Sequence, residues 1–281
     1  MKVLSVTVSL LLLIFGASAQ DLHFNLFAGM SNYQGDLQSK FITFNEAHLA
    51  AGAGLSYDLT DHFSIRGAVT FGKVSGADKY TDNKARNLSF ASAISEGQLG
   101  LEYYIKPIGT HSVTPYLFAG VAIFHFNPYT FDTSGKKYYL KEMSTEGEGF
   151  IAGRNEYKLT QFAIPFGGGF KLSLSDNVDV GIEMGFRKTF TDYLDDVSTT
   201  YVDKNLLLSN RGAKAVELAY RGGELKNGDP QYPAAGTQRG APAQKDWYYF
   251  TGLTLSFRLG SDGSGGGNGK YSEYRCPGNV R

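Results

Sequence analysis

From Val178 to Arg187 the chain alternates without a break. Val178, Val180, Ile182, Met184 and Phe186 fall on one parity, and Asp179, Gly181, Glu183, Gly185 and Arg187 on the other. A period of two is the signature of a strand, and about ten residues of it suffice for a tilted strand to cross a bilayer. The same pattern predicts strands over Leu22–Ser31, Ala47–Leu59, Phe63–Gly72, Leu88–Ile105, Thr114–Asn127, Gln161–Leu172 and Trp247–Leu259. With Val178–Arg187 this makes eight. The stretch from Thr114 is apolar on both parities, which leaves its facing open.

The connections sort by length. Those after the second, fourth and sixth strands are short, at Thr60–His62, Lys106–Val113 and Ser175–Asn177, whereas those after the first, third, fifth and seventh are long, the last running from about Asp192 to Asp246. Short turns at one end and long loops at the other are the asymmetry of an outer-membrane barrel, whose short turns are periplasmic. A soluble sandwich has no reason to sort its loops by parity. The expected fold class is therefore all-β: one eight-stranded antiparallel transmembrane β-barrel with long extracellular loops, and an even strand number places both termini in the periplasm.

Composition agrees with this without adding to it. Glycine (35), phenylalanine (20) and tyrosine (18) are abundant, and 27 basic residues balance 27 acidic ones, so no charge excess points to nucleic acid. A mean hydropathy of −0.22 does not argue against a barrel, because alternation dilutes the apolar signal. The first segment stands apart: Met1-Lys2, the apolar run Val3–Phe15 and Gly16-Ala17-Ser18-Ala19 have the build of a secretory signal peptide. The expected organisation is a signal peptide at 1–19, a barrel at 20–260 and a periplasmic tail at 261–281.

Parity also predicts the interior. Asp58, Glu96, Glu102, Asp179 and Glu183 share the lumen with Arg66, Lys171, Arg187 and Arg258. Eight strands enclose room for side chains only, and buried charges are tolerated as pairs. A plugged barrel is expected, with ion or proton conduction the weaker alternative. Tyr33, Tyr57, Tyr103, Tyr104, Trp247 and Tyr249, near strand ends, suit interfacial aromatic girdles.

Candidate chemistry is sparse. An acyltransferase or deacylase barrel needs a His beside a Ser nucleophile near the outer rim. His23 and His48 fall on the lumen parity, His62 and His111 in short turns, and His125, nearest the rim, has Phe124, Phe126 and Asn127 as sequence neighbours. No metalloprotease, paired-carboxylate or phosphate-loop motif is present, so neither catalytic residues nor a cofactor is expected. Asp192, Asp195 and Asp196 could bind calcium, but they lack an EF-hand's glycine spacing and read better as a turn of solvated acids. The loop they open, through Gly222-Gly223, Asn227-Gly228-Asp229-Pro230 and Ala241-Pro242, has turn punctuation without periodicity, which suggests partial disorder.

Four stretches carry a resemblance: SNYQGDL (Ser31–Leu37), TPYLFAGVAIFHFNP (Thr114–Pro128), IPFGGGFK (Ile164–Lys171) and RKTFTDYLDDVS (Arg187–Ser198). Together they resemble the PorG family, outer-membrane barrels of the type IX secretion system of Bacteroidetes-type bacteria. The resemblance implies a non-enzymatic part of a protein-secretion machine, linked in some relatives to gliding motility. It also implies periplasmic partners, the ring lipoprotein PorK and its partner PorN, besides outer-membrane lipid. The tail bears on that implication. A glycine-rich tether, Gly260 to Gly267, precedes Lys270–Arg281, which holds Cys276, the chain's single cysteine. Tyr271, Tyr274, Arg275, Cys276 and Pro277 are the expected docking residues, with a mixed disulfide through Cys276 as one form of docking and an inert frayed terminus as the alternative. The alternative to a secretion role is a general eight-stranded barrel for envelope stability or adhesion.

Overall fold

In a computed structural model, which describes residues 22–40, 43–107 and 112–259, eight long strands close into one antiparallel barrel. They are β1 (Leu22–Gln34), β2 (His48–Asp58), β3 (Phe63–Ala77), β4 (Ser89–Tyr104), β5 (Val113–Phe126), β8 (Thr160–Ser175), β9 (Val178–Thr189) and β10 (Trp247–Arg258). Each pairs with its neighbour in sequence, β1 pairs with β10, and the β3–β4 ladder completes the ring. Two short strands, β6 (Tyr129–Phe131) and β7 (Lys137–Tyr139), form a hairpin that extends from β4 beyond the barrel. Closure leaves none of the eight barrel strands with an unpaired edge, which strands crossing hydrocarbon require. The shortest barrel strand, β2, has 11 residues, long enough to span.

The faces are inverted relative to a protein that folds around a dry centre in water. Val69, Leu99, Val121, Phe162, Ile182 and Leu253 lie exposed on the outer wall, while Glu96, Glu102, Glu183 and Arg187 are buried inside it. The facing of β5 is now resolved: Tyr116, Phe118, Phe124 and Phe126 point inward, and Leu117, Val121, Ile123 and His125 outward. Glycines on the inner face make room for this filling; a Cβ on Gly169 would come within 2.9 Å of the Tyr116 ring.

The strands outrun their alternating segments at the long-loop end. β3 continues past Gly72 to Ala77, where Val74 to Ala77 are all buried, and β1 continues to Gln34 with Asn32 and Tyr33 buried. Loops cover both faces there, so the period of two disappears although the ladder persists. The short and long connections alternate as expected. Residues 1–19, expected to be a signal peptide, and 261–281, the expected tail, lie outside the described residues. Among the described residues no helix is long and apolar enough to cross a membrane.

Replacing Val69 by Arg puts a charge in the middle of the outer wall. In lipid vesicles it should lower unfolding stability by about 2–4 kcal/mol, measured by denaturant titration. The same change at an exposed loop position should move it by less than about 0.5 kcal/mol.

Candidate functional site

Two layers fill the barrel. In the short-turn half the lumen is charged: Lys171 Nζ contacts Glu102 Oε2 at 2.9 Å, Arg66 bridges Glu102 Oε1 at 2.9 Å and Glu183 Oε2 at 2.7 Å, and Tyr116 donates to Glu183 at 2.7 Å. One level higher Arg187 meets Glu96 Oε1 at 2.9 Å, and Tyr248 donates to Glu96 Oε2 at 2.6 Å. A cavity of about 40 Å³ between these groups is lined by Arg66, Glu102, Glu183, Arg187 and Gln98, room for about three waters and not for a solute path. Opposite charges from facing strands thus satisfy one another where neither could reach bulk water.

Most of the expected lumen charges meet here, with three differences. Asp58 pairs with His23 Nε2 at 3.0 Å and accepts from the Ser64 hydroxyl, so a histidine takes the place of an expected Arg or Lys. Asp179 accepts from the Ser173 hydroxyl at 2.6 Å. Among the described residues, Arg258 is not held by any of the expected acids, and its buried Nε has no hydrogen-bond partner. The tyrosines are the larger correction. Tyr33, Tyr104 and Tyr249 are not girdle residues: Tyr104 is buried in the lumen, donating to Glu102 and accepting from Lys171, Tyr33 is buried under the loops, and Tyr249 packs beside Phe186 and donates to Gln34. Parity alone places Tyr104 inward with Glu102. The hydroxyl of a tyrosine serves a buried carboxylate as readily as a headgroup interface. Tyr103 stays exposed on the outer wall.

Above the charges the barrel is packed with hydrocarbon. Ile94, Phe124, Phe126, Tyr248 and Phe250 from the wall form one cluster with Leu37, Leu140, Leu194, Val197 and Leu218 from the long loops. The loops therefore continue the interior upward as a cap. Its last loop is ordered, contrary to expectation, around α2 (Lys204–Arg211) and α3 (Ala213–Ala219), following the one-turn α1 (Leu140–Met143) of the β7–β8 connection. Asp203 caps α2 by accepting from the N–H groups of Asn205 and Leu206, and Leu207, Ala215 and Ala219 bury beside Val202 as a second cluster.

Polar clasps hold the cap. Glu146 pairs with Arg239 at 2.9 Å and accepts from the N–H groups of Ser198 and Thr199. Asp78 binds Arg86 at 2.6 Å and accepts from the Leu88 N–H at 2.8 Å. Asp192, Asp195 and Asp196 are buried, which corrects their reading as solvated acids. They diverge: Asp192 accepts from Ser198, Asp196 from Thr145 and Tyr157, and Asp195 from Tyr33. Among the described residues no three acidic, His or Cys side chains are placed to hold a metal ion. Burial pushes Glu148 up to about 8, helped by Asp196 and Glu146, and Asp192 up to about 7. His125 Nδ1 lies 3.0 Å from the Thr160 hydroxyl, a neighbour across the strands that the local sequence does not show, but the pair sits on the exposed outer wall and not in a pocket.

The model of one family, described as "Domain of unknown function (DUF6089)", matches residues 1–210. No curated protein matches the chain. Among solved structures the chain is similar to Neisserial surface protein A (11% identity, 86% of this chain and 99% of that one, TM-score 0.42). It is also similar to the outer membrane protein OprG from Pseudomonas aeruginosa (10%, 85% and 97%, 0.40) and to Ail, the attachment invasion locus protein of Yersinia pestis (8%, 84% and 98%, 0.38).

The buried pair gives a directional test. Glu96→Ala strands Arg187 without its counter-charge and should cost about 3–5 kcal/mol, whereas Glu96→Met with Arg187→Met and Tyr248→Phe, which leaves no hydroxyl unpaired, should be near neutral, both read from denaturant unfolding of the reconstituted barrel.

Proposed function

The chain belongs to the DUF6089 family, and we propose that it works as a structural barrel of the outer membrane, stabilising the envelope and presenting a rigid cap for adhesion. The observation that carries this reading is the division of the molecule. The lumen is filled by ion pairs below and aromatic rings above, so the barrel is not a conduit, while the long loops fold into one ordered body at a single end. Phe131, Leu206 and Leu208 stand exposed on that body, and exposed apolar side chains on an ordered surface are what a partner surface can use. Deleting the gene should raise sensitivity to detergent. The triple substitution Phe131→Ser, Leu206→Ser, Leu208→Ser should cut surface adhesion about tenfold with barrel stability unchanged. Wild-type detergent resistance and wild-type adhesion in the two strains would remove this reading.

A second reading, that of a component of a type IX secretion apparatus, is supported by the PorG resemblance. Two of the stretches behind it, SNYQGDL and TDYLDDVS, come together in the cap: Tyr33 with Asp195, and Asp36 and Ser198 around Gly240. In this reading the cell-surface cap is fixed, and the tail beyond β10 reaches periplasmic PorK and PorN through Tyr271, Tyr274, Arg275, Cys276 and Pro277. Those residues lie outside the described ones. Pull-down from detergent-solubilised membranes under non-reducing conditions should recover ring proteins with the full chain and lose them when residues 270–281 are removed. Recovery of none with either form would eliminate the secretion reading. A Cys276→Ser strain that keeps every partner band would eliminate the disulfide.

A further inference from the structure

Tyr33 at the end of β1, Asp195 near the start of the β9–β10 loop and Asp246 at that loop's end meet beneath the cap. The phenol oxygen is 2.5 Å from Asp195 Oδ2 and 3.1 Å from Asp246 Oδ1, and each of the three residues is at most 1% exposed. The outer carboxylate oxygens are already occupied: the Val197 N–H donates to Asp195 Oδ1 and the Leu194 N–H to Asp246 Oδ2, both at 2.9 Å. A phenol carries a single proton. It can satisfy one carboxylate, and the other must supply a proton of its own, because two ionised carboxylates on one phenol would repel each other out of reach of water.

The surroundings do not supply the missing positive charge. Among the described residues, the charged and titratable groups that act most strongly on the pair are Asp36 from the β1–β2 loop, Arg86 from the β3–β4 loop, Tyr157 from the chain before β8, and Asp192 from the same loop. Arg86 is the one cation of these, and its guanidinium is bound at two points, 2.6 and 2.8 Å, by Asp78. Backbone space is equally committed. A Cβ on Gly35 would overlap both Asp246 Oδ1 and the Tyr33 hydroxyl.

We propose that Asp195 and Asp246 hold one proton between them across Tyr33, and that this proton is a pH-sensitive latch fastening both ends of the β9–β10 loop to the rim of β1. The shorter contact directs the phenol proton to Asp195, so Asp246 carries the shared one and donates to the phenol oxygen. Burial raises both carboxyls well above the usual carboxylate range. A raised acid binds its proton more tightly in the folded state. The latch is therefore fully closed in acid and loosens as pH climbs through the raised value.

The test is amide hydrogen exchange of the full-length barrel in detergent, over 190–200 and 241–246, corrected for the intrinsic pH dependence and run from about pH 5 to about pH 9. Wild-type protection should be highest near about pH 5 and fall by up to about tenfold per pH unit, one proton's worth, until the raised value is passed. Asp246→Asn should lose that one-proton slope and keep only the response of the other raised acids, Asp192 and Glu148, since its amide donates to the phenol and its carbonyl accepts from Leu194. Asp195→Asn with Asp246→Asn leaves the phenol proton without an acceptor and should lose protection at every pH. Infrared spectra should show absorption of protonated buried carboxyls in the wild type that Asp246→Asn reduces by one group. A flat wild-type profile, a wild-type pH slope retained in full by Asp246→Asn, or an unchanged carboxyl band would overturn the latch, and the first two measurements stand even if the double variant does not fold.

Discussion

Backbone hydrogen bonding is the constraint from which the rest of this molecule follows. A strand that crosses hydrocarbon has no water to satisfy its N–H and C=O groups, so the ladder must close on itself, and eight strands close around a space that only side chains can fill. Side chains of alternate parity are forced into that space. Glu102, Glu183, Arg66, Lys171, Glu96 and Arg187 are tolerated there because strands far apart in sequence deliver opposite charges to the same level. The ion pairs are thus a consequence of closure more than its cause. Replacing them with matched apolar groups would keep the barrel, whereas removing one member would not.

The same constraint explains why the wall was legible from the amino-acid order and the cap was not. Inside the membrane band, each residue meets either lipid or lumen, and the period of two records which. Val178 to Arg187 could be assigned to its two faces by inspection. Beyond the band both faces are covered, as at Val74 to Ala77, and the record is lost. In the β9–β10 loop, Leu206, Leu207 and Leu208 run consecutively, so no helical face shows, and of the three only Leu207 is buried. The acids at 192–196 looked solvated because their partners, among them Tyr33, Thr145, Tyr157 and Ser198, come mostly from other loops and strands. Tyrosines misled for a related reason: an amphipathic ring fits a headgroup interface, a lumen or a cap equally well, and its neighbours decide.

Charge is distributed differently in the two layers. In the lumen, acids are matched by Arg, Lys and His. In the buried part of the cap they outnumber the cations, with Asp36, Glu146, Glu148, Asp192, Asp195, Asp196 and Asp246 set mainly against Arg239 and an Arg86 already bound to Asp78. Protons and backbone N–H groups make up that difference. Changes in acidity therefore bear on the cap, where burial pushes Asp192 up to about 7 and Glu148 up to about 8.

The continuity of the upper core has one more consequence. Leu194 and Val197 from a loop pack in the same cluster as Phe124 and Phe126 from the wall, so no plane of weak contact separates the part in lipid from the part outside it. The loop residues cannot bury their hydrocarbon until the strands they cap have closed. Until the cap folds down, the upper ends of β1, β4 and β5 stand open to water with Tyr33, Phe90, Phe124 and Phe126 uncovered. The wall is then completed only when the cap folds onto it, and the finished protein should come apart in one step, wall and cap together.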